Sequence, residues 1–359
     1  MNQSSEKTIA VLDKIIIISL FMFVAFSMFS ISITQISAGV GGIAWLLRTH
    51  FTSSWHEQRW PLGIPFALFM LACLVAVVDA YDIDYSYKSL KKLLEIFIFF
   101  WAVNCIRESR LRDSLIILLI ISATLAGLFG FYQAWESGGG IGNRVEGTMS
   151  VYMTFAGLLM MVGVLTLSRL LFRRPVEPWF FASLGVLAIC LLLTLTRQAW
   201  FGFLIGGLFL FSIWRKKILL VFMTLFLAFI IFSSEYVRSK ISMPMIPDAG
   251  PIFEATEGKS SFIEHLQYRV LRIFDGKDET FLIRLALWQG GWKVFKDYPF
   301  TGCGFRCMDL IHTQYPDPTG HIKSLRGMHN NFVQLAVDTG IFGLMTWLNI
   351  WVCFFFLII

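Results

Sequence analysis

The sequence predicts an all-α membrane protein: a polytopic bundle of about ten transmembrane helices, with one large helical extracytoplasmic loop between spans 9 and 10. Three observations lead there. Apolar residues make up 56% of the chain and charged residues only 15%, against about 25% charged in a soluble domain. The apolar residues fall into long runs. The charges concentrate instead in one stretch, Ser233 to Met328, which holds 23 of the 54 Lys, Arg, Asp and Glu residues and, with His329 just beyond it, four of the six histidines.

A helical span needs about 20 apolar residues. That ruler reads Ile15 to Ile33, a shorter Ile36 to Leu47, Ile64 to Val78, Leu93 to Ile106, Leu115 to Trp135, Val151 to Leu167, Trp179 to Thr196, Trp200 to Trp214 and Ile218 to Phe232, with Ile341 to Ile359 as a tenth. The polar start, Met1 to Asp13, leads into the first run without a small-residue cleavage site, so that run is expected to stay as an anchor. Three regions follow: a transmembrane domain over 1–234, an extracytoplasmic loop over 235–328, and a His-bearing short helix with the tenth span over 329–359.

Lys and Arg in short loops mark the cytoplasmic side. With the N-terminus inside, Lys7 and Lys14, Arg48 and Arg59, Arg107 with Arg110 and Arg112, Arg169 with Arg173 and Arg174, and Arg215 with Lys216 and Lys217 all fall there. Lys88, Lys91 and Lys92 fall outside, as interface snorkels or as a lure for a lipid phosphate. The net charge of +6 reads as lipid contact rather than nucleic-acid binding, because the basic residues sit in short loops without interleaved aromatics.

Within the large loop, Ser261 to Phe274 and Thr280 to Lys296 are patterned as helices, the second with Phe281, Leu285, Trp288, Trp292 and Phe295 on one stripe. Asp297-Tyr298-Pro299 stops it. Cys303 and Cys307 either pair in an oxidising compartment or remain free thiols. Cys73, Cys105, Cys190 and Cys353 lie in apolar runs and read as small buried hydrophobes.

Four basic side chains stand out. Arg197 interrupts the nearly continuous apolar sequence from Trp179 to Trp214, which places it at a tight outer turn, since a charge at mid-bilayer costs about 2.5–3.5 kcal/mol. It is either a snorkelling anchor or a bidentate anion binder. Arg284 flanks the apolar stripe of its helix, with its stem on tryptophan or its guanidinium on a ligand. His329 opens the amphipathic segment His329 to Gly340; a helix start disfavours imidazolium, and a neutral imidazole can take a proton from a hydroxyl. Its alternative is an interfacial residue beside a cap supplied by Asn330 or Asn331. Arg144, among Gly142, Asn143 and Gly147 in an outer loop, either cradles a phosphate or marks a turn.

Asp82-Ile83-Asp84 has the D-x-D form that can hold a divalent metal on a pyrophosphate, or is a chance polar triplet. The sequence contains no H-E-x-x-H, phosphate-binding Walker loop, dinucleotide fingerprint or G-x-S-x-G, which removes the common soluble-enzyme chemistries.

Four pieces together resemble the O-antigen ligase family: Leu195-Thr196-Arg197-Gln198-Ala199-Trp200 at an outer hairpin, Arg284-Leu285-Ala286-Leu287-Trp288 on a loop helix, Asp297 to Gly304 after it, and His329 followed by ten residues and Gly340. The motifs cover Trp179 to the end, and the topology covers the whole chain. The resemblance implies transfer of a polysaccharide from a polyprenyl pyrophosphate carrier to a hydroxyl of a lipid A-core acceptor. This would occur at the periplasmic face of the bacterial inner membrane, with inversion and without metal or cofactor. Arg197 and Arg284 would hold the pyrophosphate and His329 would activate the acceptor; Arg144, outside the matching motifs, stays a candidate substrate contact on its loop context alone. Family members carry about two spans after the tenth, which this sequence does not contain. A polymerase of carrier-linked repeats, or a ligase for another acceptor, shares the same donor chemistry; a carrier-linked glycan flippase is the alternative of another class.

Overall fold

A computed structural model describes residues 3–136, 144–215, 279–315 and 321–358. The expected ninth span and the helix expected over Ser261 to Phe274 lie outside them. The described residues form α1 (Gln3–Phe26), α2 (Ile31–Phe51), α3 (Gly63–Val78), α4 (Ile83–Tyr87), α5 (Ile96–Cys105), α6 (Ser109–Glu136), α7 (Tyr152–Phe172), α8 (Trp179–Leu193), α9 (Arg197–Trp214), α10 (Glu279–Asp297), α11 (Met308–Ile311), α12 (His321–Leu325) and α13 (Asn331–Ile358). Among these residues five helices are long and apolar enough to cross a membrane: Glu6–Phe26, Ser109–Glu136, Tyr152–Phe172, Arg197–Trp214 and Asn331–Leu357. Two shorter apolar helices, Gly63–Val78 and Trp179–Leu193, accompany them. The chain is thus a helical membrane protein, while the number of about ten spans rests on the sequence.

Two boundaries move for local reasons. The run read as Ile15 to Ile33 is divided: α1 stops at Phe26, and Ser30 starts α2, its hydroxyl accepting from Ile33 N at 3.4 Å and its carbonyl from the Thr34 hydroxyl at 2.8 Å. The run Leu93 to Ile106 is divided between a 3-10 turn, Leu90–Glu95, and the short α5.

The chain comprises two compact units, one of residues 1–13, 42–107 and 275–359, the other of residues 14–41 and 108–274. In the second unit α6, α7 and α8 pack together around Ile120, Phe155, Leu159, Leu187 and Cys190. Gly147 seats the loop before α7 in that core. Its φ is +62°, an added Cβ would meet the Phe155 ring, and the Gln133 amide brackets its N–H and carbonyl at 2.8 and 2.9 Å. Only glycine tolerates both the conformation and the contact.

In the first unit α13 packs on α3 and α10. The face α10 buries differs from its aromatic stripe: Ala286, Leu287, Gly290, Gly291 and Val294 are buried, whereas Leu285 and Trp292 are exposed. The small residues are the reason. An added Cβ would meet Ile322 Cδ1 at Gly290 and, at Gly291, lie 2.7 Å from Met328 Sδ and 3.0 Å from Val333 Cγ1, so the glycine pair sets how closely α10 approaches its neighbours.

The loop between α10 and α11 is held by α13 and by the α3–α4 corner. Cys303 N–H donates to Val337 O at 3.0 Å and Gly304 N–H to Asp338 O at 3.1 Å; Tyr81 N–H donates to Cys303 O at 3.0 Å, and Phe305 N–H to the Ser86 hydroxyl at 2.8 Å. Cys303 and Cys307 are joined as a disulfide in this loop. The Tyr85 hydroxyl donates to Asp309 at 2.7 Å and Arg306 pairs with the same carboxylate at 2.6 Å.

Burial alone pushes the Asp309 carboxyl upward, but those two partners hold it below the usual carboxylate range. A depressed folded-state value contributes stability that is complete above the unfolded value and lost as pH falls through the folded one. Asp309→Asn is therefore expected to be less stable than the parent at neutral pH and to converge with it on acidification, measured by thermal unfolding in detergent below about pH 5.

Candidate functional site

Arg197 is the first residue of α9, directly after the turn that ends α8. Leu195 takes a left-handed conformation there, with φ 52°, which reverses the chain within three residues. Buried Thr194 bonds back to Leu191 O at 2.7 Å, and the Trp200 indole donates to the same carbonyl at 2.9 Å. Arg197, half-buried, thus opens a helix whose N-terminal partial positive charge favours an anion. Arg144 belongs to the same unit, its guanidinium 4.4 Å from the Tyr152 ring centroid.

Arg284 and His329 belong to the other unit. Arg284 lies in α10, one helical turn before Trp288, and i,i+4 side chains on a helix are neighbours. The Trp288 indole donates to Met328 O at 3.0 Å, and Met328 N–H donates to the Gln334 side-chain oxygen at 2.9 Å. Gln334 in turn donates to buried Asp338 at 2.9 Å. Both backbone groups of Met328 are thus taken by side chains, and its own side chain is fully buried. The next residue is His329, solvent-exposed on this peg.

His329 is not in the first turn of α13. Asn330 is the cap, its side-chain oxygen accepting from Phe332 N at 2.9 Å and Val333 N at 3.3 Å, so His329 precedes the helix. Its φ is +48°, a left-handed conformation that costs a non-glycine residue about 1–3 kcal/mol and persists where surrounding structure enforces it. Here the enforcing contacts are the two bonds to Met328 and the Asn330 cap.

Gln334 and Asp338 were not among the residues singled out from the sequence, and Trp288 was read there only as part of the apolar stripe and the Arg284 motif. The legible signal was the i,i+4 spacing of Gln334 and Asp338, which puts two polar groups on one face of an apolar helix. Asp82 caps α4 by accepting from Tyr85 N at 2.8 Å. Among the described residues no group of three His, Cys, Asp or Glu is arranged to hold a metal ion.

The sequence profile of the family described as O-antigen ligase matches residues 182–348. Residues 182–348 belong to the O-antigen ligase family. The match takes in Arg197, Arg284 and His329 together with the peg residues Trp288, Met328 and Gln334, and it leaves Arg144 outside. No curated protein matches the chain. The O-antigen ligase family makes this a membrane enzyme of the glycan ligase or polymerase type, acting on lipid-linked glycans.

Proposed function

We propose that this protein transfers a polysaccharide from a polyprenyl pyrophosphate carrier to a hydroxyl of lipid A-core at the periplasmic face of the inner membrane. The observation that carries the reading is the hydrogen bond from Trp288 on α10 to Met328, which ties the helix bearing Arg284 to the residue before an exposed, strained histidine. In the proposed reaction the imidazole of His329 accepts the proton of the acceptor hydroxyl, whose oxygen attacks the anomeric carbon. The bond from that carbon to the pyrophosphate oxygen breaks, and in-line attack inverts the centre.

The leaving group departs with negative charge, so it needs electrostatic stabilisation more than a strong acid. Arg197 and Arg284 supply two guanidiniums for it, and their planar fork suits phosphate oxygens. Arg144 would add a contact to a substrate phosphate, and no metal or cofactor takes part. The test is an assay of purified protein with a carrier-linked glycan and, in separate arms, lipid A-core or a second carrier-linked chain as acceptor, each in excess chelator. Product only on lipid A-core supports the ligase reading; product only on the carrier-linked chain replaces it with a polymerase. Loss of activity that magnesium restores would overturn the metal-free step.

Trp288→Phe keeps the aromatic packing and removes the indole donor to Met328. Loosening a catalytic group by about 1 Å costs on the order of 10²-fold. The variant is expected to lose about tenfold to a hundredfold in kcat with the donor KM nearly unchanged, as steady-state transfer assays would register.

A further inference from the structure

The second unit contains a basic cavity of about 270 Å³, lined by Asp113, Arg169, Arg173, Arg174, Glu177 and Phe180 with apolar neighbours. It lies where α7 ends and α8 begins, beside the start of α6. Three guanidiniums face two carboxylates. Asp113 is shared, accepting from Arg169 at 3.0 Å and Arg173 at 2.6 Å, and Glu177 is engaged by the Trp179 indole at 2.6 Å. The Arg169 side chain is 13% exposed, and its Nε is buried without a hydrogen-bond partner. A buried charged donor left unpaired is costly, and the same side chain lines the cavity.

The field at this place favours an anion. The N-termini of α6 and α8 both lie at this end, adding partial positive charge to the arginines. The cavity is below the roughly 300 Å³ at which pockets for drug-sized ligands begin, so it suits a small charged group and not a glycan chain. Phe172 and Phe181, flanking the lining residues in sequence, are 48% and 63% exposed, an apolar surface on which acyl chains can lie. The arginine distribution also assigns this end to the cytoplasmic side, where anionic headgroups attract basic clusters between helices.

We propose that this cavity binds a phosphate group, its own lipid-facing surroundings favouring the headgroup of an anionic phospholipid over free phosphate. Arg169 supplies positive charge at the inner wall, Arg173 and Arg174 close over the phosphate from the exposed side, and Asp113 holds Arg169 and Arg173 in place. This site is separate from the proposed transfer chemistry and stands whether or not His329 is catalytic.

The test uses the full chain in nanodiscs of zwitterionic phosphatidylcholine, titrated with short-chain phosphatidylglycerol, short-chain phosphatidylcholine or inorganic phosphate. Native mass spectrometry counts retained lipid, and a thermal shift reports phosphate. The expected result is selective retention of phosphatidylglycerol, weakened at least about tenfold in an Arg173→Gln, Arg174→Gln variant. The paired variant Arg169→Gln, Asp113→Asn removes the inner positive charge without leaving a carboxylate unpaired, and it should weaken retention equally. Binding of inorganic phosphate that competes with the lipid identifies free phosphate as the source; retention it does not displace identifies the lipid. Equal retention of both lipids with no response to phosphate, or wild-type binding by both well-folded variants, overturns the proposal.

Discussion

His329→Gly is expected to cut glycan transfer by about 10²–10⁴-fold while leaving the protein about as stable as the parent. The two effects separate because the histidine has two distinct properties in the fold. Its left-handed backbone, φ +48°, is a conformation that glycine adopts freely, so the substitution removes strain. The greater freedom of glycine in the unfolded chain offsets part of that gain, and the net change should lie within about 1 kcal/mol. The imidazole is exposed, so its loss leaves no cavity behind.

A general base contributes about 10²–10⁴-fold, and the variant should fall by that much in transfer measured with purified protein. His329→Ala should lose activity equally without the relief of strain. A variant that unfolds would show the histidine to be structural, and one that is folded and fully active would remove it from the mechanism. Arg197→Ala and Arg284→Ala, folded and inserted, should lose transfer as well if both guanidiniums serve the pyrophosphate.

The sequence revealed the helical membrane class because span-length apolar runs leave a bilayer helix few alternatives. It also put the boundary between the His329 segment and the tenth span at Gly340, though not the break in the helix that the structure has there. The packing of α10 was not legible in the same way. Its buried face is built on Ala286, Gly290 and Gly291, and glycine carries no hydrophobic signal, whereas the conspicuous Leu285 and Trp292 are exposed. The role of Trp288 was hidden for a related reason: a tryptophan on an apolar stripe reads as packing, and only the position of Met328, 40 residues later, shows where its N–H goes. His329 was visible as a residue, but its conformation depends on Asn330 rather than Asn331 taking the cap, and the two are indistinguishable by type.

Gly340→Ala should have the largest structural effect of any single substitution considered. The residue has φ 62° and ψ −162° inside α13, a region essentially reserved for glycine. An added Cβ would also meet Phe300 O and lie 2.6 Å from Gly302 N, both backbone atoms that cannot rotate away. The break matters because it opens the helix to the loop after α10: Ile341 N–H donates to Pro299 O at 2.9 Å, Phe342 N–H to Phe300 O at 3.3 Å, and Val337 O and Asp338 O accept from Cys303 and Gly304. Straightening α13 would withdraw these partners together.

Destabilisation of about 4 kcal/mol or more is expected, in the exceptional range for one substitution, read as loss of folded protein in detergent and of protease resistance in the first unit. Gly39→Ala is the matched control, because it lies in α2 with nothing within 4 Å of an added Cβ; there alanine should be neutral or stabilising by up to about 1 kcal/mol. Equal behaviour of the two variants would mean that the helix break is not required, and that the loop can find α13 without it. Because α13 also carries the Asn330 cap and Gln334, any Gly340→Ala protein that does fold should show a further deficit in transfer, and that deficit should shrink in a Trp288→Phe background where His329 is already loosened.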